Sequence, residues 1–349
     1  MHPYDRILRA ARGEPIDRIP AVLWGFGQTY APFAGLADRA YYADPATMLR
    51  AQLAFHERFP DTFTIPGIWP DHGSVPVASA FGCEVDFPAD SPPRIISKAI
   101  SDLSQVHTLP VADPKRSPYT RRILDYLAYF RDHIPDAVRQ KFGFLDGHVH
   151  LGGPIDRACL IAGYEQVLLG MKITPQAVHD LLDRVVEFAL RYIDAQREVV
   201  GSIKRISMSD HITGLTNREL FLEFILPRYN AIFDYADADL RFYHNETNWN
   251  HLIPDMPEIH CDVIHAGPDL DWARANRHIP QCIMGTLDPI QVLAEGTCED
   301  IRADVRRILT QAERTTKLWF STGGGMHPRT PPENMQCMID AVAEFGRQP

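Results

Sequence analysis

The chain has 349 residues, 45% hydrophobic and 23% charged, and a formal net charge of −10 from 35 basic and 45 acidic side chains. It is long enough to bury a large core, and an acidic balance with no Lys/Arg-rich block argues against nucleic acid as a partner. Six scattered cysteines without a Cys-x-x-Cys pair predict reduced thiols in a cytoplasmic protein. The start, Met1-His2-Pro3-Tyr4-Asp5-Arg6, has no apolar signal core; no run approaches the ~18 apolar residues of a membrane span, so no membrane partner is expected.

In chain order, Tyr4–Arg12 predicts a short helix closed by Gly13, then a first strand over Arg18–Gly25 and a glycine-containing turn. Asp44-Pro45, a cap followed by a first-turn proline, opens a helix to Phe59. Thr62–Ile68 is the second strand, with Asp71 and His72 at its exit, and residues 73–112 form an elaborated loop containing a strand pair. A helix over Tyr119–His133 leads to a third strand, Phe142–Asp146, which runs out into Gly147-His148-Val149-His150. A helix over Ala158–Met171 and a longer one from Thr174-Pro175 to Val200, with apolar residues at i, i+3, i+4 spacing, precede the fourth strand, Arg205–Ser209. That strand ends at Asp210-His211, and Asn217 caps a helix through Tyr235.

The fifth strand, Leu240–Glu246, delivers His244 and Glu246 just where it ends, and i, i+2 side chains of a strand share a face. Cys261–Ile264, ending at His265, and Gln281–Met284 are the sixth and seventh, followed by helices around Ile290–Ala294 and Cys298–Gln311. Lys317–Ser321 ends in Thr322-Gly323-Gly324-Gly325-Met326-His327, and a last helix runs from Pro331-Pro332 to Phe345. Eight apolar strands alternating with helices is the count of an α/β fold, a single (β/α)8 barrel over residues 1–349. A doubly wound sheet fits the alternation too, but no Gly-x-Gly-x-x-Gly follows the first strand.

Active sites of such barrels lie at the C-terminal strand ends. Those ends read Asp71/His72, Asp146/His148/His150, Asp210/His211, His244/Glu246, His265/Asp269 and His327. Imidazoles and carboxylates at one mouth suit a divalent metal with N and O ligands, or acid–base work on an anionic substrate. The plainer readings are solvated loop histidines and a structural His244–Glu246 ion pair. A glycine run at Gly323–Gly325 brings backbone N–H groups close to a ligand.

Five stretches together carry a resemblance: Arg6–Pro20, Phe81-Gly82-Cys83-Glu84-Val85, Gly152-Gly153-Pro154, Met284–Pro289 and Thr330-Pro331-Pro332-Glu333-Asn334. In this order they resemble the uroporphyrinogen decarboxylase superfamily, which also holds the corrinoid and coenzyme M methyltransferases. The resemblance implies a (β/α)8 barrel, often a homodimer, with its site at the mouth. The decarboxylase branch places an Arg-Gln-Ala-Gly-Arg-Tyr stretch where this chain has Trp24-Gly25-Phe26-Gly27-Gln28-Thr29-Tyr30, without an arginine. Its catalytic aspartate matches Asp71, but its tyrosine falls near Leu160 and its late histidine at Gly324. The methyltransferase branch uses His-x-Cys and a distant Cys as zinc ligands; here these positions hold His244, Glu246 and Gly324. Exchanging thiolates for a carboxylate leaves a harder Lewis acid, better matched to a methoxy or carboxylate oxygen than to a thiol.

The resulting expectation is a metal-assisted methyltransferase or demethylase that moves a methyl group from a small O- or N-methyl compound to a corrinoid protein. His244, Glu246 and His327 would hold a divalent metal, zinc first. Asp71, Asp210 and His211 would do the acid–base work; Trp24, Gln28, His148, His150, His265 and Gly324 would contact substrate. A decarboxylase or lyase on a small carboxylate, with Asp71 as general acid, is the alternative, and a non-catalytic ligand- or corrinoid-binding barrel is the third.

Overall fold

The computed structural model describes residues 1–110, 112–142 and 148–347. Eight strands carry the architecture: β1 (Val22–Trp24), β2 (Phe63–Ile65), β3 (His148–Gly152), β4 (Arg205–Ser209), β5 (Leu240–His244), β6 (Val263–His265), β7 (Cys282–Leu287) and β8 (Leu318–Thr322). β3 to β8 form a parallel sheet in chain order, and β1 pairs with β2, also parallel. A parallel bridge from Ala21 to Phe320 joins the pair to β8, helped by Phe320 N donating to Pro20 O at 2.9 Å. The strands therefore follow one another around a (β/α)8 barrel. Between β2 and β3 the described residues form no ladder; Trp69 packs on His150 there, ring centroids 5.1 Å apart.

The strands are short because each needs to cross only one layer of packed side chains. β4, β7 and β8 are buried along their whole length, one face inside the barrel and the other under helices. The first helix, Pro3–Arg12, stops at Gly13 in a left-handed conformation (φ 75°) and lies across the N-terminal ends of the strands. There Trp319 Nε1 donates to Ile7 O at 3.0 Å and Lys317 N to Ala10 O at 2.8 Å.

Several elements depart from the sequence expectation. The third strand is His148–Gly152, whereas Phe142 ends a helix (Asp136–Phe142) and 143–147, Asp146 included, lie outside the described residues. The densest apolar run drew the expectation; the strand instead alternates, with Val149 and Leu151 buried on one face. The turn after β1 contains two helices, Gly27–Phe33 and Asp38–Ala43, and the 73–112 loop holds a helix, Val75–Ala80, beside its expected strand pair. Gly163 (φ 103°) divides the Ala158–Met171 helix in two. Asn217 caps as expected, but a π-helical stretch, Phe221–Ile225, precedes Pro227, whose ring cannot donate. Residues 290–294 form turns, with Asp288 Oδ1 accepting from Ile290 N and Gln291 N.

The cysteine expectation also needs correction: Cys298 and Cys337, 39 residues apart, form a disulfide between the last two helices, while Cys83, Cys159, Cys261 and Cys282 are free and buried. Among the described residues no helix is long and apolar enough to cross a membrane.

His72, just past β2, is fully buried, and neither ring nitrogen has a hydrogen-bond partner among the described residues. Burial, with Arg122 adding to it, pushes its pKa from 6.5 down to about 3. Below pH 6.5 the unfolded chain therefore takes up a proton that the folded chain refuses until about pH 3. Each pH unit in that window costs about 1.4 kcal/mol of stability. His72→Phe is expected to match or exceed the wild type at pH 7 and to lose less stability on acidification. Urea midpoints from pH 7 to pH 4 check this, and parallel curves would refute it.

Candidate functional site

The strand register sets the site. Gly152, Ser209, His244, His265 and Met284 are successive register partners across β3 to β7, one level at the C-terminal end of the strands. Above this level opens a cavity of about 740 Å³ whose lining includes Trp24, Asp71, His211, His244 and Glu246.

Three donors converge in it. His211 Nε2 lies 3.8 Å from Glu246 Oε1, and His244 Nε2 lies 3.9 Å from Glu246 Oε2. One donor atom from each of the three residues falls within 4.8 Å of the others. Bonds of ~2.0–2.1 Å to a tetrahedral ion need ligand atoms roughly 3.3 Å apart, so an ion would draw these donors together by up to about 1.5 Å. Two imidazoles and a carboxylate also suit zinc-like ions chemically.

The surrounding hydrogen bonds assign the tautomers. His265 Nε2 lies 2.7 Å from Thr322 O, a pure acceptor, so this nitrogen carries the proton. Burial pushes the His265 pKa down to about 4, opposed by that bond, so the ring is neutral and its Nδ1 is a lone pair. His244 Nδ1, 2.6 Å away, must therefore donate, which leaves the His244 Nε2 lone pair facing the cavity. Burial holds His244 itself well below the ordinary histidine range, with His265, His211 and His150 adding repulsion. Trp24 stacks on the His244 ring, centroids 4.6 Å apart.

His211 is fixed from the other side. Its Nδ1 and its backbone N reach the same Asp156 oxygen, at 3.2 and 3.1 Å, so Nδ1 donates and, in the neutral ring, Nε2 is the lone pair. Desolvation at the mouth lowers its pKa, but Asp156, then Glu246 and Asp210, raise it above the ordinary value on balance. Glu246 Oε2 accepts from Gly325 N at 3.1 Å, and a Cβ on Gly324 would lie 2.5 Å from the same oxygen. A side chain at 324 would therefore push that carboxylate out of its present position.

Asp71 is buried in the cavity wall, its oxygens accepting from Gly27 N at 2.6 Å and Gly73 N at 2.7 Å. Desolvation raises its pKa, which these bonds and Tyr42 partly oppose. Gln28 lines the same cavity, as does His150, whose Nδ1 lies 2.7 Å from Ser207 Oγ. His327 lines it too, but its Nδ1 accepts from Arg329 N at 3.3 Å, and His211 rather than His327 joins the donor cluster.

Three expected site residues stand elsewhere. Asp210 is fully buried and does not line the cavity; Ile212 N at 2.7 Å, Tyr243 Oη at 2.9 Å and the Thr213 hydroxyl occupy its oxygens. His265 lies behind His244 rather than in the cavity. His148 begins β3, in register with Arg205 and Leu240 at the opposite end of the strands from the mouth. Two residues were overlooked in the sequence, Asp156 and Arg157. Their signal was an adjacent charged pair immediately after Gly152-Gly153-Pro154, in the first turn of an otherwise apolar helix, Pro154–Ala162.

Comparison with known proteins agrees with this architecture. The family model described as Uroporphyrinogen decarboxylase (URO-D) matches residues 2–345. The uroporphyrinogen decarboxylase of Alkalilimnicola ehrlichii is 27% identical over 376 residues, covering 98% of this chain and 94% of that protein. That of Shewanella amazonensis is 26% identical over 378 residues, covering 99% and 98%. Among solved structures, a methyltransferase from Methanosarcina mazei superposes with a TM-score of 0.79 at 19% identity, covering 97% of this chain and 98% of that one.

The tautomer assignment is open to direct measurement. Long-range 1H–15N NMR on histidine-labelled protein is expected to show His244 neutral and protonated on Nδ1 at pH values well below the ordinary histidine range. His265→Phe removes the acceptor and is expected to let His244 populate the other tautomer. An Nε2-protonated His244 in the wild type would contradict the assignment.

Proposed function

The chain belongs to the uroporphyrinogen decarboxylase (URO-D) family, and on that footing we propose that it is a metal-assisted methyltransferase. It would take a methyl group from a small O- or N-methyl compound and pass it to a corrinoid carried by a partner protein. The observation that supports this most is the convergence of His211 Nε2, His244 Nε2 and the Glu246 carboxylate, with both imidazole lone pairs turned inward.

These three residues would hold a divalent ion, zinc first. Bound there, it would act as a Lewis acid on the heteroatom that carries the methyl group. His265 and Asp156 keep the two imidazoles in ligating form, as partners behind metal-binding histidines do. The Gly325 N–H steadies Glu246, and Trp24 shields one face of His244 from water. When the carbon–heteroatom bond breaks, its electron pair stays on the heteroatom, which then needs a proton. Asp71 lies in the same cavity with a raised carboxyl pKa and is placed to supply it.

A second reading, decarboxylation of a small carboxylate, draws on that same Asp71. The stretch after β1, Trp24 to Tyr30, offers no arginine for propionate groups, which counts against a porphyrinogen as that carboxylate.

Elemental analysis of tag-free protein is expected to find about one divalent ion per chain, absent from His244→Ala and Glu246→Gln. Asp156→Asn and His265→Phe, which touch only the supporting partners, are expected to weaken metal affinity about 10- to 100-fold. Methyl transfer to a corrinoid acceptor should fall with the metal. A wild type that is active while metal-free, or that releases CO2 without transferring methyl, would overturn the proposal.

A further inference from the structure

Arg157 has no part in the chemistry above, yet it lines the cavity while only 6% exposed. Of its three guanidinium nitrogens only Nη1 has a hydrogen-bond partner among the described residues, Ser74 O at 2.6 Å; Nε is buried without one. The adjacent Asp156 commits an oxygen to His211; its charge acts on Arg157, but among the described residues the two form no ion pair. Nη2 is then the idle donor left for the cavity, and a buried cation with such a donor is a site for an anion.

The backbone is shaped around it. A Cβ on Gly152, the last residue of β3, would lie 1.7 Å from Arg157 Nη2, 1.8 Å from Nε and 2.0 Å from Cζ. The guanidinium thus rests against bare backbone at the level of the donor cluster. Gly152 is in register with Ser209, and Ser209 with His244, so two strand spacings, about 9–10 Å, separate this level of β3 from β5. The cavity wall here includes the rings of Phe26 and His150, 5.4 Å apart, so the middle of a bound molecule meets aromatic surface.

We infer that Arg157 binds a carboxylate on the substrate. The substrate class is then a small carboxylic acid whose apolar spacer, about the size of one ring, separates the carboxylate from the reacting end. That the reacting end is a methyl-bearing heteroatom rests on the methyl-transfer reading; the carboxylate subsite does not. Guanidinium in place of ammonium fits, because its fixed plane lets Nη1 hold Ser74 O while Nη2 is turned to the ligand.

The probes are 4-methoxybenzoate and its neutral analogue 4-methoxybenzamide, titrated calorimetrically into metal-stripped protein so that no ion can take the carboxylate. The wild type is expected to prefer the acid. Arg157→Gln should weaken the acid about 10- to 100-fold and leave the amide within about twofold. Gly152→Ala, which displaces the guanidinium, should act in the same direction, and Arg157→Lys should restore only part of the loss. Melting curves confirm that each variant is folded. A wild type without preference for the acid, an unchanged acid affinity in folded Arg157→Gln, or equal losses of acid and amide would each overturn the inference. Failure of the methyl-transfer reading shows instead as absent metal and absent transfer, with the acid preference intact.

Discussion

The hydrogen bond between His244 and His265 depends on a single pairing, His244 opposite His265 on adjacent parallel strands. A slip of one residue in either strand would turn every side chain to the other face of the sheet and separate the two rings. The tautomer of His244, the direction of its lone pair and its approach to Glu246 all follow from that register. So does the place of Arg157, because Gly152 stands on the same level two strands away. The barrel therefore acts as an alignment device: backbone ladders fix the height, and the loops above only need to bring Glu246 and His211 across.

Burial then decides which forms of these groups exist. His150 is pushed down to about 3 and His265 to about 4, while Asp71 is pushed upward. Both movements favour the uncharged form, as expected where polar groups are enclosed by rings such as Trp24 and Phe26. Neutral imidazoles need no deprotonation before they ligate an ion. His211, half-exposed and beside Asp156, moves the other way.

Much of this was legible in the chain, at uneven resolution. Strand β4 matches its expected range, and β5 begins where expected and ends two residues before Glu246; each follows a long helix whose end leaves its start little freedom. The i, i+2 spacing of His244 and Glu246 identified the pair at the centre of the site. What could not be read was direction. Asp210 and His265 end their strands as Asp71's neighbours do, yet each points into a network behind the mouth, because Tyr243, Thr213 and Thr322 offer partners there. His327 was preferred to His211 on sequence position, but a long glycine-rich turn carries its ring past the cluster, while Asp156 anchors His211 at its edge. Arg157 went unnoticed because a charged residue at a helix start usually faces solvent; only the missing Cβ of Gly152 gives it room inside.

The helix across the foot of the barrel has a consequence for synthesis. Trp319 bonds to Ile7 across 312 residues of intervening chain, and Lys317 N to Ala10. At ribosomal speeds of about 5–20 residues per second, the first helix waits roughly 15–60 seconds before its docking partner emerges. Throughout that interval the apolar face formed by Ile7, Ala10 and Ala11 has no final surface to cover. A helix made early is thus completed late, and the growing polypeptide carries an uncapped apolar face while the 312 residues up to Trp319 are added.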